Sequence, residues 1–163
     1  MRTLKVKPVA RLLLLLTSLS LVSFKPEAKT PVNCLIVVGI ATKDYTCKRS
    51  GQAVAFPTVI GYQSIYRSSS DEYYSTANYV KSLLATDYKV SEKNITLYSS
   101  EKSKSVIIQY RQKIEDWSCY VNKCAVGFGE SEEQALADAV AQKNAAVGEK
   151  TPYLKLGSTG CGE

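Results

Sequence analysis

The chain has 163 residues, 45% of them hydrophobic and 22% charged, with 21 basic and 15 acidic side chains, five cysteines and no histidine. The missing histidine removes the usual general base of serine and cysteine nucleophiles and the commonest ligand of catalytic zinc, copper and non-haem iron. The sequence also carries no glycine-rich phosphate loop and no paired C-x-x-C knuckles, so no cofactor and no metal is expected.

Residues 1–23 read as a secretion signal. Arg2, Lys5, Lys7 and Arg11 precede an apolar run over residues 12–24 that only hydroxyls interrupt. The run falls short of the ~20 residues a membrane-crossing helix needs, so no span is expected in the mature form. Cleavage after Ser23 removes four basic residues and no acid, leaving 17 basic against 15 acidic side chains and a net charge of +2 in place of +6. Nucleic-acid binding needs a clustered basic excess on the folded domain, and so small a surplus argues against it. The expected location is secreted or periplasmic, where cysteines pair.

Residues 24–33, charged and proline-bearing, read as a flexible lead, 34–156 as a single α/β-type domain, and 157–163 as a flexible tail. Within the domain, residues 34–41 (CLIVVGIA) form a β-branched run of the kind buried on both faces, with Gly39 at a bulge or a close backbone approach. The polar stretch 42–51 reads as a loop. Residues 53–66 read as extended, divided at Pro57.

Three helices are then predicted, beginning near Asp71, Lys102 and Glu132. Ser69 with Glu72, and Ser131 with Gln134, have capping-box spacing, in which the hydroxyl accepts an orphan N–H and the longer side chain reaches back. Apolar faces follow at helical spacing: Tyr73, Ala77, Val80 and Leu84; then Ile107, Tyr110, Ile114 and Trp117; then Ala135, Leu136, Ala139 and Val140. Strands are expected at 95–98 and 125–128, with an edge strand at 153–156. The fold class that results is α+β or α/β, a short sheet with about three helices packed on it.

The five cysteines, at 34, 47, 119, 124 and 161, allow 15 two-bridge patterns, among which sequence alone does not choose. Cys119 and Cys124 form the best local pair, since a chain turning from helix to strand brings such positions together. Cys161, between two glycines, is the expected free thiol. Asn94, Ile95 and Thr96 make a glycosylation sequon.

The run Gly127, Phe128, Gly129, Glu130, Ser131, followed by an Ala-rich helix, resembles the turn that opens the last helix of double-stranded RNA-binding domains. It covers about 20 residues. Where that family presents lysines to phosphate this chain has Glu132 and Glu133, so RNA binding does not carry over. The reading that remains is an exported, disulfide-containing domain acting by non-catalytic binding of a protein or glycan partner. Two rivals stand beside it. A two-carboxylate glycan hydrolase would draw on the acid pairs at 71–72, 115–116 and 132–133, and an envelope structural protein would cross-link through the odd cysteine.

Overall fold

Two hairpins, each followed by a helix and a returning strand, organise the computed structural model, which describes residues 34–161. The signal at 1–23 and the lead at 24–33 lie outside the described residues. Strands β1 (Leu35–Arg49) and β2 (Gln52–Arg67) are followed by α1 (Tyr73–Tyr88) and β3 (Ile95–Ser100); β4 (Lys104–Ile114) and β5 (Cys119–Gly129) are followed by α2 (Glu132–Val147) and β6 (Tyr153–Gly160). The strands form two antiparallel three-stranded sheets, ordered β2-β1-β3 and β5-β4-β6. In each half the first strand is therefore the central one.

This corrects the expected fold class. Among the described residues strands dominate, the sheets number two, and the long helices number two rather than about three. The missing helix is the one predicted from Lys102: those residues form β4, and Ile107, Tyr110 and Ile114 lie along a strand. Val106, Ile107 and Ile108 are consecutive and all buried. Their successive side chains point to opposite faces, one towards α2 and one towards the other sheet, and burial on both faces erases the alternation that marks an ordinary strand.

The core lies in three seams. Between the sheets, Ile36, Val38, Ile40 and Val59 of the first pack with Ile107 and Val126 of the second. Outside the first sheet, Val80 and Leu84 of α1 cover Leu35, Val37 and Ala41; outside the second, Ala135 and Ala139 of α2 cover Val106, Ile108 and Ala125. The layers are thus helix, sheet, sheet, helix. Burying one Ile or Val of these seams is worth about 1.5–3 kcal/mol.

The expected loop at 42–51 is mostly strand. β1 and β2 stay paired to Arg49 opposite Gln52, and only Ser50 and Gly51 turn, both at positive φ (48° and 83°), as a two-residue hairpin of the type I′ class requires. This end of the hairpin is largely exposed, so its polar composition is compatible with pairing. The tail is likewise ordered in part, since β6 runs to Gly160 and the Cys161 N–H donates to the Ser103 carbonyl at 2.9 Å.

Each sheet carries one irregularity. The β1–β2 register shifts past Ile60, and the β4–β6 register shifts past Leu156. The bulged Leu156 carbonyl accepts a hydrogen bond from the Tyr62 hydroxyl at 2.9 Å, so a group spare from the ladder becomes a tie between the sheets.

Candidate functional site

The cysteines are paired otherwise than expected. Cys34 bridges Cys161 and Cys47 bridges Cys119, with Cα separations of 6.0 and 6.1 Å, and Cys124 is the free thiol. The Cys119–Cys124 pairing fails because both lie on β5, where five residues span ~16 Å and an odd offset sends the side chains to opposite faces. Cys161 is not the spare, because β6 carries it to the start of β1. Both bridges join the first half of the chain to the second and fit an oxidising compartment. Cys124 packs against the seam between the sheets, and burial pushes its thiol up from 9.0 to about 12.

Ser131 is the N-cap of α2, its Oγ accepting from the Gln134 N–H at 3.2 Å, while Gln134 Oε1 accepts from the Glu130 N–H at 3.0 Å, one residue outside the usual box. Asn94 ends a short 3-10 turn, half-buried, its carbonyl accepting from the Thr42 hydroxyl at 3.1 Å. The acid pairs stand at separate turns. Glu72 pairs with Arg67 at 3.4 Å, Glu132 pairs with Lys155, and Glu115 and Asp116 sit in the turn between β4 and β5. Hydrogen bonding and charge from Lys155 hold the Glu132 carboxyl below its usual range.

A groove of about 1020 Å³ lies where β4 outruns β6. Its position follows from strand lengths. β6 begins at Tyr153 opposite Tyr110, whereas β4 continues to Ile114 against β5 alone. In register, Arg111 would next face Pro152, which has no N–H to give, so the ladder stops there. Tyr110, Tyr120, Tyr153 and Leu154 supply apolar surface to the lining, Arg111, Lys113 and Lys150 supply positive charge, and Glu115 is the one carboxylate. Arg111 lies over the Tyr120 ring, 4.6 Å from its centroid. Burial, with a smaller contribution from Cys124, pushes the Tyr110 hydroxyl up.

One wall depends on a buried lysine. Lys143 continues the stripe of Ala135 and Ala139 on α2 and is only 1% exposed. Its Nζ donates to the carbonyls of Gly148, Glu149 and Thr151 at 3.1, 3.1 and 2.8 Å, and stands 5.9 Å from the centre of the Tyr153 ring. Three carbonyl dipoles replace its hydration and fix the loop that carries Lys150, Thr151 and Pro152 to the groove.

Sequence reasoning did not single out Arg111, Lys113, Tyr120, Lys143 or Tyr153, and it placed Tyr110 on a helix. The proline just before Tyr153 was the available signal that a ladder would end there. Among the described residues no group of three or more Cys, Asp or Glu is placed to hold a metal ion, and no helix is long and apolar enough to cross a membrane. Comparison with protein-family models, with curated proteins and with solved structures gives no match for this chain.

Proposed function

We propose that this protein is an exported, non-catalytic binding domain that takes its partner in the groove at the free end of β4. The observation that carries the reading is the lining: tyrosines and an exposed leucine beside three cations, in an open concavity larger than most small-molecule sites, which run to roughly 1,000 Å³. Aromatic side chains and arginine, here the tyrosines and Arg111, are what binding surfaces enrich, and the two lysines add positive charge that orients an anionic partner. The two disulfides support the exported setting. A glycan hydrolase of the two-carboxylate kind is less favoured, because Glu115 has no second acid in the groove lining. Cross-linking through the odd thiol is less favoured too, because Cys124 is half-buried and its thiolate scarce at neutral pH.

The test is an NMR titration of the oxidised protein with an acidic peptide library and with an oligogalacturonate. Perturbations gathered at Tyr120, Tyr153 and Leu154, and lost in Tyr153→Ala, are expected. A panel that leaves the groove unperturbed refutes the reading, and cleavage of the oligosaccharide would replace it with the hydrolase.

A further inference from the structure

We infer that the groove binds an extended acidic segment of polypeptide as an added strand on β4, with carboxylates at alternate positions of the ligand meeting Arg111 and Lys113. The inference rests on the groove being the binding site, and adds which kind of partner it takes and how.

The backbone argument comes from β5. Its even-numbered residues turn their main-chain groups away from β4: the Asn122 N–H donates to Thr58 Oγ1 at 2.9 Å, the Phe128 N–H to Asp138 Oδ2 at 3.0 Å, and the Val126 carbonyl accepts from Gln142 at 2.9 Å. In an antiparallel ladder the residue directly opposite such a position also turns its groups outward, to the other side. Arg111 is opposite Asn122 and Lys113 is opposite Tyr120, so both present main-chain groups on the side where β6 has ended. Pro152 offers no N–H to the Arg111 carbonyl, and past Tyr110 no described strand pairs with β4 on this side. The Arg111 carbonyl and the Lys113 N–H and carbonyl are therefore positioned to continue the ladder with a strand from another chain.

The side chains say which strand. Arg111 and Lys113, two residues apart, project to the same face of β4, and Tyr120 is Lys113's cross-strand partner on that face. A ligand strand lying in register beside β4 places every second side chain on that face, where two cations favour carboxylates and the Tyr120 ring flanks them. Lys150 adds a third positive charge to the lining, against the single carboxylate of Glu115. An unbranched backbone with its own N–H and C=O groups meets both demands together, whereas an anionic glycan meets only the charge.

The probe is a blocked octapeptide alternating glutamate with threonine, titrated into the full oxidised protein by calorimetry and NMR. Saturable binding that slows exchange of the Lys113 amide is expected. Affinity should fall at least about tenfold when the peptide is N-methylated at alternate residues, and be lost when lysine replaces glutamate. Lys113→Pro removes the open donor and the charge on an edge that tolerates proline, while Lys113→Gln removes the charge alone and guards against misfolding. Both should weaken binding, Lys113→Pro the more. Equal affinity for the N-methylated peptide, or tighter binding of an oligogalacturonate at the same residues, overturns strand addition while leaving the groove as a binding site. Binding of neither probe at the groove removes both readings.

Discussion

The two halves of this chain share one topology and dock their helices by opposite means. In the first, the helix stands on side chains: Val80 and Leu84 come down over Gly39, and the tip of Tyr88 lies over Gly61. In the second, the helix backbone itself reaches the sheet. A Cβ added at Gly127 would lie 2.0 Å from the Ala135 carbonyl oxygen and 2.4 Å from the Ala139 nitrogen, and one at Gly129 would lie 2.7 Å from the Ala135 nitrogen. Asp138 and Gln142 then hydrogen-bond the outer edge of β5, and Lys143 ties down the loop beyond. Large apolar side chains tolerate adjustment, whereas backbone against backbone leaves no slack. The half docked backbone to backbone is also the one that carries the groove.

Joining the halves should matter most. Replacing Cys47 and Cys119 together by alanine opens a cross-link spanning 72 residues and should lower stability by about 4 kcal/mol in urea unfolding under oxidising conditions. A loss under ~1 kcal/mol would mean that the hairpin is held to the second half without it, by the edge contact of Phe56 on Trp117 and the bond from Arg49 to the Asp116 carbonyl.

The docking contrast is tested by a matched pair. Gly127→Ala should cost about 3 kcal/mol, since helix backbone must move, and Gly61→Ala less than about 1 kcal/mol, since the exposed Tyr88 ring can swing away. Equal losses from the two would erase the distinction. Removing the ammonium in Lys143→Met strands three carbonyls and should cost about 2 kcal/mol, with amides of residues 148–151 exchanging faster than those of the corresponding α1–β3 link. Unchanged exchange there would show that the loop holds itself.

Capping should separate the halves more gently. Ser131→Ala should cost about 1 kcal/mol because Ser131 caps a sixteen-residue helix, and Ser69→Ala only a few tenths, since Ser69 caps a three-residue turn before α1. The smallest effect at neutral pH is that of Cys124. Its folded pKa is raised, so the stability it confers is complete below about 9 and is lost as the pH climbs towards about 12. Cys124→Ala should flatten that alkaline decline, and native Cys124 should resist iodoacetamide at pH 8 until denaturant is added. Rapid labelling of the folded protein would contradict the burial.

Local chemistry is what the sequence makes legible. Residues 34–41 announce a doubly buried strand by their β-branched run, and the Ser131 cap followed by alanines marks the start of α2, because both features depend only on neighbours along the chain. β4 was not legible. Ile107, Tyr110, Ile114 and Trp117 fit a helical period by chance of spacing, and nothing local reveals that a helix and a second sheet cover Val106 to Ile108 from opposite sides. The groove shared that fate, since it arises where one strand outlasts its neighbour.

By itself, then, the sequence determined the charge, the absence of histidine, the odd number of thiols and the segments with strong local propensity. Tertiary structure decided how many sheets there are, which cysteines meet and where the open edge falls. Those depend on contacts between residues as far apart as Cys34 and Cys161, separated by 127 positions, and a bridge or a ladder between such residues is set by the register of whole strands rather than by any neighbouring side chain.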